Sequence, residues 1–205
     1  RRVLTIEINS ATDNPLVFSN NGKAEVISGG NFHGQILALV SDNMAICIHE
    51  IASISERRIN QVLDPQWSKQ KAFLANNEGL DSGLMIVQYV AAAVIAELSL
   101  LANPVTTTNI SVSMGKEDHV SMGATGAFRT FKASKLLSSV ISSELICACQ
   151  ALDNISEKAS LPVISIHQWV RKYVSKLIED RSTSKDTDII AEKLLSSEFT
   201  DIFRS

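Results

Sequence analysis

Apolar residues recur along this chain with two different periods, and the change falls near residue 35. Before it the apolar runs are short. Leu4, Ile6 and Ile8 alternate as in a strand, or else finish a helix begun upstream. Leu16-Val17-Phe18 and Ala24–Ile27 flank Asn20-Asn21-Gly22. That is a hairpin signal, because Asn-Gly accepts the positive φ angles of a two-residue turn. A glycine-rich stretch, Ser28-Gly29-Gly30-Asn31-Phe32-His33-Gly34-Gln35, follows. From Gln35 to Leu63 there is neither proline nor glycine, and Leu39, Ala45, Ile48, Ala52 and Ile59 recur near helical spacing. Asp64-Pro65 ends that helix. A polar connection past Trp67 leads to Asn76-Asn77-Glu78-Gly79. Asp81 or Ser82 then serves as N-cap for an apolar helix running to Ala102, which Asn103-Pro104 stops.

The stretch from Thr106 to Met114 reads as loop. Asp118 then opens a third long helix, with Met122, Phe128, Phe131, Leu136, Val140, Ile141, Leu145, Ala148 and Leu152 on its apolar face. Pro162 starts a fourth, carrying Val163, Ile166, Val170, Val174 and Leu177. Arg181 to Asp186 reads as a linker, and a short last helix carries Ile189, Ile190, Leu194 and Leu195. The expected fold class is all-α. Helices of about 20 to 30 residues are roughly 30–45 Å long, so an elongated bundle of long helices is expected, with a loop and hairpin region at its N-terminal end. The segments are 1–34 (loop and hairpin), 35–153 (core helices) and 154–205 (C-terminal helices).

Composition adds a constraint on partners. Of 205 residues, 45% are apolar and only 20% charged, which points to surface covered by another copy. Nineteen basic against 22 acidic residues leave a net charge of −3, without the basic footprint of a nucleic-acid binder. Gly83–Ala102 is about long enough for a bilayer. It holds Gln88, Glu97 and the thin waist Ala91-Ala92-Ala93, which suits a packed core helix, so no membrane partner is expected. Three cysteines, Cys47, Cys147 and Cys149, suit a reducing, cytoplasmic setting. Cys147 and Cys149 could be half of a metal site, but no second pair completes one, and two small apolar residues in a helix is the simpler reading. The first residue is Arg1, with no visible start or targeting segment, so the chain is expected to begin inside a longer protein.

Several chemistries fail on spacing. Asp118, His119 and Ser121 are too close in sequence to converge as a nucleophilic triad. Gly29, Gly30 and Gly34 lack the spacing and the βαβ context of a dinucleotide fingerprint. Ser55-Glu56-Arg57-Arg58 reads as a solvated or ion-paired helix face, with contact to a substrate carboxylate as the alternative for either arginine. The glycines at 29 and 30 allow the backbone to bend or approach a ligand closely. Glu117, at the expected helix start, has two readings: a capping carboxylate beside the better cap Asp118, or a group facing a cavity and holding a polar substrate.

Five motifs in order give the chain a family resemblance. They are Asp13-Asn14-Pro15-Leu16-Val17, Gly29-Gly30-Asn31-Phe32-His33, Ser55-Glu56-Arg57-Arg58-Ile59, Ser82-Gly83-Leu84-Met85-Ile86-Val87-Gln88 and Glu117-Asp118-His119-Val120-Ser121-Met122. Together they resemble the C-terminal part of the aromatic amino acid lyases that act on histidine, the histidine ammonia-lyases; the likeness weakens after Asp153. The resemblance implies helical homotetramers with active sites shared between subunits. It implies non-hydrolytic loss of ammonia from L-histidine to give urocanate, at a methylidene-imidazolone electrophile self-made from an internal Ala-Ser-Gly. It also implies site residues. Glu117 contacts the substrate imidazole, Phe32 lies near the electrophile and the ring, Met85 lines the substrate side, and Asn31 and His33 order the loop, His33 with substrate contact as its alternative. A glutamate at 117 suits an imidazole N–H, whereas relatives acting on phenylalanine or tyrosine tend to carry glutamine.

The sequence departs from the family pattern in places. Lys116 stands where glutamine is usual, and Lys69-Gln70-Lys71-Ala72-Phe73-Leu74 replaces a proline-rich loop. No Ala-Ser-Gly occurs in the chain. Tyr89 and Tyr173 fall at core or amphipathic helix positions, so the family's catalytic tyrosine and carboxylate-binding arginine are expected upstream of Arg1. The chain is therefore expected to need the missing N-terminal part of the same protein and to be inactive alone. The alternatives are a lyase or aminomutase for another aromatic amino acid, or a non-catalytic helical oligomerisation module.

Overall fold

The computed structural model describes residues 1–157 and 159–203. Lys158, Arg204 and Ser205, within the expected 154–205 segment, lie outside the described residues. The fold is all-α apart from one hairpin. In order come α1 (Arg2–Glu7), β1 (Leu16–Asn20), β2 (Lys23–Ile27), α2 (Gln35–Leu63), α3 (Pro65–Ser68), α4 (Met85–Leu101), α5 (Gly123–Leu152), α6 (Leu161–Arg171), α7 (Ser184–Leu194) and α8 (Ser197–Asp201). They form two compact units: residues 1–47 with 101–132, and residues 48–100 with 133–205.

In the first unit, Leu4 and Ile6 belong to α1, so the strand reading of that segment does not hold. Strands β1 and β2 pair antiparallel from Leu16↔Ile27 to Asn20↔Lys23. Asn21 and Gly22 make the turn at φ 50° and 77°, as the Asn-Gly signal requires. The N-terminal part of α2 buries Ala38, Asp42 and Ala45. Asp42 accepts from the Val105 N–H at 3.1 Å, the Thr106 N–H at 2.9 Å and Thr106 Oγ1 at 2.7 Å. The stretch after α4 is thereby tied to α2, and Thr130 Oγ1 of α5 donates to the Ser41 carbonyl at 2.8 Å.

In the second unit, the later part of α2 buries Ala52, Ser55, Glu56, Ile59 and Leu63. Asp64 caps α3 by accepting from the Gln66 N–H at 2.8 Å, with Pro65 in the first turn. Helix α4 buries Val87, Ala91 and Leu98. It begins at Met85, later than a cap at Asp81 or Ser82 would put it. The Asp81 carboxylate turns to Asn77, and the Ser82 and Gly83 N–H groups donate to Asp180 at 2.7 and 2.9 Å. Buried Gln150 on α5 acts like a strand partner for Leu177: its Nε2 donates to the Leu177 carbonyl at 2.9 Å, and its Oε1 accepts from the Leu177 N–H at 3.0 Å. The amphipathic run from Val163 leaves the helix after Arg171, yet Val174 and Leu177 remain buried. The expected linker 181–186 is partly helix, since α7 starts at Ser184 and Arg181 pairs with Asp186 at 2.6 Å.

Some apolar positions expected inside are outside. Leu39 is 49% exposed, Phe128 70%, Phe131 59% and Tyr89 66%. Periodicity places a residue on an apolar face but does not say whether that face meets this chain or another. By length and composition α2 and α5 could each cross a bilayer, although half of the apolar window of α5 is buried inside the chain.

Candidate active site

The glycine-rich loop lies in the first unit. Residues Asn31–His33 form one turn of 3-10 helix, closed by Gly34 at φ 70°. The Asn14 side-chain oxygen accepts from Ser28 Oγ at 2.9 Å and the Gly29 N–H at 3.1 Å. Here Asn14 of the Asp13–Val17 motif finds its use, as the anchor of the loop. An added Cβ at Gly29 or Gly30 would meet nothing within 4 Å, and Gly30 sits at φ −93°. The packing of this chain thus does not demand glycine at either position.

Asn31, Phe32 and His33 face a cleft of about 800 Å³, shared with Leu4 and Glu7 of α1, Ile8 just after it, Leu37 of α2 and Ala124 of α5. The wall is apolar over most of its surface, with Glu7, Thr12, Ser41 and Ser121 as polar members besides the loop side chains. Asn31 Nδ2 donates to Glu7 Oε2 at 3.2 Å. Sequence reasoning does not single out Glu7, because a lone acidic residue in a short apolar stretch carries no motif. The Phe32 and His33 rings lie 4.1 Å apart, centroid to centroid, tilted by 34°, and Phe32 is 41% exposed.

Glu117 stands on the neighbouring loop and is not among the residues lining this cleft. The expected helix start there is corrected: α5 begins at Gly123, so neither Glu117 nor Asp118 caps it. The cause is a tight backbone turn. Ser113, Met114 and Gly115 have φ of 54°, 60° and 81°. The Glu117 N–H donates to the Val112 carbonyl at 3.3 Å, and the Val112 N–H returns a bond to the Glu117 carbonyl at 3.0 Å. Asn109 Oδ1 accepts from the Val120 N–H at 3.0 Å, which diverts the chain again before the helix. Glu117 is half-buried. Among the described residues its carboxylate accepts one hydrogen bond, a long one from Ser113 Oγ at 3.4 Å. The two loops touch: Ser121 Oγ donates to the His33 carbonyl, and the His33 and His119 rings meet at 6.2 Å with planes at 83°. Lys116 is exposed.

Met85 lies in the second unit, as the half-buried first residue of α4. Beside it, Gly83 at φ 56° accepts a close approach: an added Cβ would stand 2.5 Å from the Phe73 carbonyl oxygen. The Ser-Glu-Arg-Arg run is an ion-paired helix face. Arg57 pairs with Glu56, and Arg58 makes a two-pronged contact to Glu144, whose Oε2 also accepts from Ser55 Oγ at 2.6 Å. Cys147 and Cys149 are buried in α5. Burial pushes both thiols up, Cys149 to about 11. Two inert, small packing residues fit that setting better than metal ligands.

Comparison with known proteins adds an independent finding. Residues 1–172 match the family model for aromatic amino acid lyase. Histidine ammonia-lyase of Myxococcus xanthus is 40% identical over 206 residues, covering 100% of this chain and 40% of that protein. The crystal structure of histidine ammonia-lyase from Trypanosoma cruzi superposes with a TM-score of 0.93 at 39% identity, over 98% of this chain and 40% of that one. Tyrosine aminomutase from Streptomyces globisporus gives a TM-score of 0.90 at 32% identity, over 99% of this chain and 38% of that one. The chain spans about 40% of the length of the curated relative and solved structures it matches here.

Proposed function

The chain belongs to the aromatic amino acid lyase family, and we propose that it is part of a histidine ammonia-lyase, which eliminates ammonia from L-histidine to leave urocanate. The observation that carries the reading is the Glu117 carboxylate. It is half-buried, accepts one long hydrogen bond among the described residues, and sits on a loop bonded to the one that bears Phe32. An imidazole N–H is a good partner for such a carboxylate, whereas an apolar ring would leave it unpaired at a cost. The higher identity to the histidine enzymes, 39–40% against 32% for tyrosine aminomutase, supports the same choice.

The division of labour follows from the residues present. Glu117 accepts the imidazole N–H and orients the ring. Phe32 walls the site, and Asn31, held by Glu7, fixes the loop together with His33; Met85, in the second unit, is assigned to a substrate side by the family resemblance alone. A methylidene-imidazolone group, when bound, supplies the electrophile. The exposed Phe32 face on a mostly apolar cleft suits a flat ring presented from another segment, and these 205 residues contain no Ala-Ser-Gly from which to make the group. The exposed apolar residues of α2, α4 and α5 suit burial against further copies in a homotetramer rather than lipid, in a reducing, cytoplasmic setting. The rival reading is a lyase or aminomutase for another aromatic amino acid. The test is turnover by the full-length polypeptide that contains this chain. Expected are urocanate and ammonia from L-histidine, and none from the 205-residue chain alone. Urocanate from the isolated chain, or preference for tyrosine or phenylalanine, overturns the reading.

A further inference from the structure

Among the described residues two side chains bridge the backbone of the loop carrying Glu117: Ser111, whose Oγ donates to the Glu117 carbonyl at 3.2 Å, and Asn109 at its base. Asn109 Oδ1 accepts from the Val120 N–H at 3.0 Å, and Asn109 Nδ2 lies 3.0 Å from His119 Nδ1. A backbone N–H can only donate, so the first bond fixes which way the amide faces. The amide NH₂ must then face the imidazole, and Nδ1 must be the acceptor. That leaves the His119 proton on Nε2. The ring so held meets His33 at 6.2 Å, and two residues on Ser121 Oγ bonds the His33 carbonyl. Within the loop, Val112 and Glu117 exchange backbone hydrogen bonds. Glu117 is thus fixed from inside by Val112 and from its base by Asn109.

We infer that Asn109 and His119 are positioning residues, a clip that locks His119 in the Nε2–H form and holds the Glu117 loop in register with the Phe32–His33 loop. Neither need touch substrate. The consequence is selective. Loosening the clip displaces the carboxylate that reads the imidazole N–H, while the aliphatic and aromatic walls stay in place. That consequence rests on the proposed role of Glu117; the clip itself rests on the geometry alone.

The test uses the full-length protein and two probes without an amino group to eliminate, imidazole propionate and 3-phenylpropionate, titrated by calorimetry. Asn109→Ala is expected to weaken imidazole propionate about tenfold, the scale of one charge-assisted hydrogen bond, and 3-phenylpropionate by less than about twofold. In a Glu117→Gln background, Asn109→Ala is expected to add no further loss. Equal loss of both probes, or independent losses that multiply, overturns the clip. Asn109→Asp keeps an acceptor for the Val120 N–H but cannot donate to His119 Nδ1, so the imidazole must carry its proton on Nδ1 to stay bonded; the nitrogen-15 shifts of His119 are expected to show that move in this variant, and a proton that stays on Nε2 in it overturns the tautomer lock. In the wild-type protein the same shifts give a reading that needs no ligand. A proton on Nε2 supports the clip and a proton on Nδ1 overturns it, whereas an unchanged affinity in Glu117→Gln alone overturns the histidine reading.

Discussion

Asp42 accepts three hydrogen bonds from Val105 and Thr106. Burial pushes its carboxyl up, but the Thr106 and Val105 hydrogen bonds and Arg129 outweigh that and hold it below the ordinary 3.8. A carboxyl lowered in the folded state stabilises the fold above its unfolded value and loses that contribution as pH falls through the folded value. Asp42→Asn, which sets an NH₂ group against N–H donors, is expected to cost about 2 kcal/mol at neutral pH. The gap to wild type should narrow as pH falls below the ordinary 3.8 and through the lower folded value, which denaturant titration at several pH values measures. Asp42 was not legible beforehand, because one acidic residue in an apolar helix gives no sign of partners more than sixty residues away. Glu117 was legible as a type of residue in a motif, but not in its setting. A sequence shows that a carboxylate precedes a helix; it does not show that a turn at 113–115 takes the backbone away from the helix first.

Among the elements, α2 could be read from end to end, since nothing between Gln35 and Leu63 breaks a helix and Asp64-Pro65 does. The hairpin was equally plain from Asn21-Gly22. The start of α4 was not, because it depends on a close backbone approach. Gly83 holds φ 56° against the Phe73 carbonyl oxygen, 2.5 Å from where a Cβ would sit, and Asp180 takes the Ser82 and Gly83 N–H groups. Gly83→Ala is expected to destabilise by about 3 kcal/mol through clash and backbone strain, read as a lowered denaturant midpoint. Little change would show that the Phe73 segment yields easily. The Ser-Gly-x-Met motif thus has a structural half in Ser82 and Gly83, ahead of the proposed substrate-side Met85. Gln150 belongs with these hidden elements: its buried amide stands in for a peptide group toward Leu177, a pairing that periodicity cannot reveal.

At the scale of the molecule, the all-α class was readable from helical periodicity and the family from five ordered motifs, which fall on loops and on packed helices alike. The share of apolar surface was only half readable. Phe128 and Phe131 follow helical spacing and are exposed, so their partner is not this chain's core. The cleft by Phe32 holds the loop side chains, and Glu117 stands on a second loop bonded to the first. The most direct test of that arrangement is kcat/KM for L-histidine in the full-length protein carrying Glu117→Gln. Loss of a charged acceptor from an imidazole N–H should lower it by roughly 30- to 150-fold, about 2–3 kcal/mol, with the fold intact by circular dichroism. An unchanged kcat/KM would contradict the assignment of Glu117 as the group that reads the imidazole.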